Sequence, residues 1–179
     1  MQIEKTSFEG LLLITPDVYK DDRGYFMESY KQSEYKKATG ITFVQDNESL
    51  SQKNVIRGLH FQKPPFAQAK LIRVIKGSIL DVVVDLRKDS KTFGKHFKHV
   101  LSDDNKKQLY IPEGFAHGFL SLEDHTVILY KCSEYYHKGS EDAILWNDET
   151  LGINWETDKP ILTEKDRNAK KFSIFESPF

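Results

Sequence analysis

KLIRVIKGSILDVVVDLR, residues 70–87, is the stretch that decides the fold. Leu80, Val82, Val84 and Leu86 alternate with Asp81, Val83, Asp85 and Arg87, the period-two pattern of a strand with one buried face. Gly77 interrupts the run and marks a turn between two strands. In the first of them Lys70 and Ile72 share one face, and Leu71 and Arg73 share the other.

Similar short runs extend on the C-terminal side. Lys95–Leu101 reads as a strand, Ser102–Asn105 as a turn, and Gln108–Ile111 as a strand stopped by Pro112. Gly118–Leu122 and Thr126–Cys132 form a hairpin across Glu123-Asp124-His125. Many short strands with turn signals at this spacing predict a mainly β fold, a sandwich or barrel. Helix is confined to the margins: Lys31–Thr39 before a Gly40 C-cap, and a second start at Thr163. No repeat, low-complexity tract or linker divides the chain, so residues 1–179 read as a single domain.

Composition narrows the function. Hydrophobic residues make up 39% and charged residues 30%, which suits a globular protein rather than a disordered one. A formal net charge of −1 gives no long-range field to recruit nucleic acid or a membrane surface, so an anionic ligand must be held by local basic groups. Cys132 is the sole cysteine, which fits a reducing compartment. The apolar run Leu11–Ile14, broken by Thr15 and Pro16, is too short for a signal peptide or membrane span. A cytoplasmic location is expected.

Four clusters carry polar groups of interest. In Asp22-Arg23-Gly24-Tyr25-Phe26-Met27-Glu28, Arg23 is a phosphate-binding fork, Phe26 a stacking face and Glu28 an acceptor, or the stretch is a turn entering an edge strand. Phe43–Ser49, with Gln45 and Asn47, precedes Val55-Ile56-Arg57-Gly58-Leu59-His60-Phe61-Gln62. Arg57 and His60 lie close together around a glycine, and Gln62 shares a face with His60. A lone histidine there is either catalytic or a satisfied core residue. Lys70, drawn inward at a strand start, is costly unless paired or used; the alternative is a rim lysine in water. The remaining histidines, His96, His99, His125 and His137, read as surface.

The fourth cluster, Ile111-Pro112-Glu113-Gly114-Phe115-Ala116-His117-Gly118-Phe119, contains Pro-x-Gly-x-x-His. It resembles the second motif of the cupin superfamily, double-stranded β-helix (jelly-roll) barrels, and the resemblance turns His117 towards the interior. Metal-binding cupins carry His-x-His and a downstream Glu in their first motif. Here that stretch is Gly58-Leu59-His60-Phe61-Gln62, leaving His60 and His117 where a stable site recruits three or four ligands. The barrel therefore reads as metal-free.

Together these segments, with Val82–Arg87, Tyr130-Lys131-Cys132, Trp146-Asn147-Asp148 and Lys165-Asp166, resemble the dTDP-4-dehydrorhamnose 3,5-epimerase family over nearly the whole chain. The resemblance implies a cupin-like barrel with a few short peripheral helices. It implies His60 as base, Asp166 as the carboxylate orienting it, Lys70 as the group that stabilises the C4 enolate oxygen, and Tyr130 as the acid on the opposite face. It also implies Arg57 and Arg23 at the diphosphate, and Phe26, Glu28, Gln45 and Asn47 around the nucleotide. Gln62 and His117 join the substrate-binding set. Phe26 and Glu28 are implied to reach a neighbouring subunit's site, hence a homodimer with strand exchange and a dTDP-sugar substrate. From spacing alone, Thr163 and Asp166 fit equally a helix cap and first turn.

The chemistry accounts for such a set. A hydrogen α to a ketone is lost readily when the developing oxyanion is stabilised. C3 and C5 both flank the C4 ketone, so one cation serves both. No hydride moves, in agreement with the absence of a glycine-rich dinucleotide fingerprint, so no cofactor is expected. Inversion at C3 only or C5 only is the close alternative. A non-catalytic sugar-binding cupin and a metal-dependent cupin oxygenase are the more distant ones.

Overall fold

The computed structural model describes residues 1–179. In chain order the elements are β1 (Gln2–Lys5), β2 (Leu12–Thr15), β3 (Val18–Asp21), β4 (Gly24–Met27), α1 (Gln32–Thr39) and β5 (Gln45–Ser51). They continue with β6 (Ile56–Gln62), β7 (Lys70–Lys76), β8 (Ser78–Asp85), β9 (His96–Ser102) and β10 (Gln108–Ile111). The last are β11 (Phe115–Ser121), β12 (Thr126–Cys132), β13 (Glu141–Ala143) and α2 (Glu164–Arg167).

Two antiparallel sheets face each other. One has the order β1-β2-β10-β7-β12-β5 and the other β13-β6-β11-β8-β9; β3 and β4 form a separate hairpin. Sequence neighbours such as β7 and β8 lie in opposite sheets, so the chain crosses repeatedly between layers, as in a jelly-roll barrel. Gly77, at φ +79°, makes the β7–β8 turn expected of it. Both short helices fall where the sequence placed them, with Gly40 as a left-handed C-cap and Thr163 as an N-cap.

The expectation of one buried face on β8 is corrected by the structure: residues 79–85 are all buried. Ile79 and Val83 point into the core between the sheets, alongside Ile72, Val74, Leu109, Phe119 and Ile128. Leu80, Val82, Val84 and Leu86 pack outward, beneath Trp146, Leu151, Trp155 and Phe175 of the C-terminal segment. The aspartates of the alternation therefore do not face water. Asp85 accepts hydrogen bonds from Arg87, Ser90 and Thr92, and Asp81 accepts from His117. A buried carboxylate with such partners preserves the polar alternation without a solvent face.

The outer face of the larger sheet is partly covered by Tyr35 of α1 and by Tyr30, Ile41 and Phe43. β9 begins one residue later than expected, and β11 already begins at Phe115. His96 and His99 are half-buried rather than on the surface, because β9 lies against the core through Phe97 and Leu101.

Candidate active site

The site is built on an irregularity. In a regular strand Arg57 and His60, three apart, would point to opposite faces. The β6–β11 register shifts here: His117 pairs with His60, but Phe119 pairs with Arg57. Two residues of β6, Gly58 and Leu59, thus oppose Gly118 alone, a β-bulge that brings Arg57 and His60 onto the same inward face. Glycine is required at the bulge. A Cβ on Gly58 (φ +131°) would lie 2.4 Å from the Gly118 Cα.

His60 lines two adjoining hollows, each of about 280 Å³, that also share Lys70 and Tyr130. The first is walled further by Gln45, Asn47, Gln62, Gln68, Tyr136 and Glu141. The second is walled by Ser49, Arg57, His117, Phe119, Thr163 and Asp166. Residues from β5, β6, β7, β11, β12 and α2 therefore meet around one cleft, open to solvent.

His60 Nε2 donates to Asp166 Oδ1 at 2.6 Å, while Asp166 Oδ2 accepts from the Thr163 hydroxyl at 2.8 Å. The Asp166 backbone N–H donates back to that hydroxyl. Both readings of Asp166 hold together: it sits in the first turn of a capped helix, and its carboxylate orients His60. Burial raises the Asp166 pKa, but the hydrogen bond and charge of His60, with Thr163 and Lys165, outweigh it and hold the group below the ordinary carboxylate value. With Nε2 committed, Nδ1 is the ring's basic atom.

Lys70 opens β7 directly opposite Cys132 of β12 and has no ion-pair partner. Burial lowers its pKa; Cys132, Asp81 and Glu141 pull it back up in part. Tyr130 lies two residues before Cys132, on the same inward face. Its hydroxyl is shifted up, first by burial and then by Cys132, with Arg57 opposing. A lysine with no ion-pair partner and a phenol whose pKa is raised thus line the same hollows as one imidazole.

The other expected residues divide. Arg57 is braced on β5, donating through Nε to Ser51 and through Nη2 to the Leu50 carbonyl. His117 Nε2 donates to both oxygens of fully buried Asp81, at 3.0 Å each. Gln45 and Asn47 line the first hollow and bond to each other. Gln62 lines it too, but its amide bonds to backbone atoms of Phe66, Tyr135 and His137, bracing two loops. Arg23, Phe26 and Glu28 lie outside both hollows, on and just after the exposed β3–β4 hairpin, where Arg23 pairs with Asp21 and Phe26 is 66% exposed.

Tyr136, Glu141 and Lys165 were not singled out from sequence. Glu141 takes the Tyr136 hydroxyl at 3.0 Å and the Lys165 ammonium, tying β13 to α2 at the mouth of the site. The signal was faint: Lys165 adjoins Asp166, but nothing local marks Glu141, which arrives by pairing with Gln62.

Residues 5–173 match the dTDP-4-dehydrorhamnose 3,5-epimerase family. The chain belongs to that family. The chain is 48% identical to the dTDP-4-dehydrorhamnose 3,5-epimerase of Shigella flexneri over 174 residues, covering 96% of each. The Bacillus anthracis dTDP-4-dehydrorhamnose 3,5-epimerase structure, with TDP and PPi bound, superposes at TM-score 0.92 with 47% identity, covering 96% of this chain and 99% of that one. The Legionella pneumophila dTDP-6-deoxy-D-glucose-3,5-epimerase, in complex with dTDP-4-keto-L-rhamnose, superposes at TM-score 0.93 with 42% identity, covering 98% and 94%. Membership in the dTDP-4-dehydrorhamnose 3,5-epimerase family makes this chain an isomerase with the jelly-roll barrel of its relatives. Within that family the hollows around His60 are the place to look for the sugar.

Proposed function

We propose that this chain epimerises a dTDP-4-keto-6-deoxyhexose at C3 and C5, supplying deoxysugar biosynthesis of the dTDP-L-rhamnose type. The observation that carries the reading is the His60–Asp166 pair facing the same hollow as the unpaired Lys70 ammonium and the Tyr130 phenol. His60 Nδ1 removes the proton from the carbon next to the ketone. Lys70 holds the negative charge that moves onto the C4 oxygen. Tyr130 returns a proton from the other face; the phenolate so formed is reprotonated from solvent, and the imidazolium of His60 releases to solvent the proton it took.

We assign Arg57, which lines the second hollow, to the sugar diphosphate, His117 beside it to substrate positioning, and Gln45 and Asn47, which line the first, to the nucleotide. Arg23, Phe26 and Glu28 sit too far out on their hairpin to serve this chain's own site. We assign them to the site of a second copy in a homodimer. The whole chain works as one unit, because residues from β5 to α2 line one space. No helix is long and apolar enough to cross a membrane, and we place the reaction in the cytoplasm, where the single buried thiol of Cys132 stays reduced.

Incubation of dTDP-4-keto-6-deoxyglucose with the enzyme in D2O tests the reading. Deuterium entering both C3 and C5, followed by NMR, is the expected result. Deuterium at one carbon alone reassigns the enzyme as a mono-epimerase, and none at either carbon refutes the reading.

A further inference from the structure

Residues 134–137, which follow β12 and carry Tyr136 to the rim of the first hollow, belong to no strand or helix. Their backbone has one main-chain bond, a turn bond from the Ser140 N–H to the His137 carbonyl. The hydrogen bonds that tie this backbone to more distant parts of the chain all go to glutamine side chains. Gln68 Nε2 donates to the Glu134 carbonyl at 2.7 Å, and Gln62 Nε2 to the Tyr135 carbonyl at 3.2 Å. The Tyr136 N–H donates to Gln45 Oε1 at 3.0 Å, and the His137 N–H to Gln62 Oε1 at 2.7 Å.

Gln62 differs from the other two. Its carboxamide grips the backbone on both sides of Tyr136, taking the carbonyl before it and the N–H after it. Those are the two bonds that a neighbouring parallel strand would make, supplied here by one side chain. Fixing both flanking peptides fixes the direction in which the Tyr136 ring leaves the chain. The Gln62 amide also donates to the Phe66 carbonyl at 2.7 Å, and the Phe66 ring stacks on His137, so residues 63–66 join the same clasp. Gln62 is 4% exposed, and both of its N–H donors are spent on protein backbone. Its own backbone lies opposite Glu141, whose carboxylate takes the Tyr136 hydroxyl. One residue thus places both ends of that hydrogen bond.

We infer that Gln62 is a positioning residue for this site. It holds Tyr136 and Glu141 together as one wall of the first hollow, the side assigned above to the nucleotide, and so sets how tightly that part of the substrate is held. None of the clasp's hydrogen bonds involves His60, Lys70 or Tyr130, so its loss acts on binding rather than on proton transfer. The inference rests on the proposed epimerase reading for the identity of the ligand, and on the geometry of the clasp for everything else.

The test compares wild type with Gln62→Met, which keeps the volume and removes the donors and the acceptor, with circular dichroism to verify folding. Hydrogen exchange of the Tyr136 amide, followed by NMR, reads the clasp itself. That N–H bonds to Gln45, not Gln62, so it should exchange about tenfold faster only if Gln62 holds the residue in place. Titration with dTDP should give a dissociation constant about tenfold higher, and the D2O assay a KM raised to match, with kcat changed by about twofold at most. Tyr136→Ala should weaken dTDP binding similarly, and Gln62→Met/Tyr136→Ala no further, because both act through one ring. Should Gln62→Met fold poorly, Gln62→Glu carries the same measurements, since it keeps the acceptor for His137 and loses the donors. An unchanged Tyr136 amide, an unchanged affinity, effects that add in the double variant, or a loss confined to kcat each overturns the inference. A wild type that neither binds dTDP nor exchanges refutes the epimerase reading, and the Tyr136 amide still decides the clasp.

Discussion

His60 and His117 stand opposite each other in the β6–β11 pairing, and each gives its Nε2 to its own buried aspartate. With Nε2 engaged in each ring, neither Nδ1 has a hydrogen-bond partner within the chain. The two pairs differ in support. Asp166 is held by Thr163 on a short helix, whereas Asp81 lies inside the barrel with His117 as its only side-chain partner.

That difference predicts a separation of effects. Asp81→Asn should weaken the hold on His117 without disturbing His60, lowering kcat/KM by about 10- to 100-fold through substrate positioning, the scale of one charge-assisted hydrogen bond. Nitrogen-15 NMR of the ring should show the His117 tautomer changed and that of His60 intact. A His60 signal that moves as well would mean that the two pairs act as one unit.

Asp166 predicts a pH effect on stability. Its folded pKa is lowered, so it contributes stability above its ordinary range, near pH 4, and that contribution disappears as pH falls through the depressed value. Asp166→Asn should therefore reduce the thermal midpoint near neutral pH and lessen its dependence on pH below about 4. The same variant should lower exchange by about 10²-fold or more, because His60 loses the group that orients it. Melting curves with unchanged acid dependence would place the depressed pKa elsewhere.

The alkaline limb of activity should belong to Lys70. Burial pushes its ammonium below the ordinary lysine value while pushing the Tyr130 phenol above the ordinary tyrosine value. Lys70 starts from the higher ordinary value, but the opposed shifts favour its losing its proton before Tyr130 as pH rises, and with it the charge proposed to stabilise the enolate. Lys70→Arg, permanently charged, should keep a reduced activity whose limb is displaced to higher pH. A limb that vanishes in Tyr130→Phe but survives in Lys70→Arg would reverse the assignment.

Much of this was legible in the sequence, and the exceptions have specific causes. The strands observed at residues 70–76, 78–85, 96–102, 108–111 and 126–132 follow, within two residues at their ends, from alternation and turn residues alone. Lys70 facing inward with Ile72, and Arg73 outward with Leu71, follow from the same period. The second buried face of β8 did not follow, because its cover comes from residues 144–179, whose path over the sheet has no local periodicity. Glu141 reached the site through pairing of β13 with β6, a long-range register that composition does not encode. The meeting of Arg57 and His60 depends on a bulge that only the Gly58-to-Gly118 approach makes possible.

Gly58→Ala tests that bulge directly. The added methyl meets the Gly118 Cα and the His117 carbonyl, backbone atoms that cannot swing aside, and the positive φ is itself unfavourable for alanine. Strain of this kind costs about 1–3 kcal/mol, so the thermal midpoint should fall by several degrees. Relief by regularising the strand would turn Arg57 or His60 to the outer face. The variant should thus lose exchange far beyond its loss of stability, whereas Gly40→Ala, at a helix C-cap away from both hollows, should lose stability alone. Measuring both variants at a temperature where each is fully folded isolates the effect. Full exchange activity in Gly58→Ala would show that the glycine bulge is not what aims these two side chains.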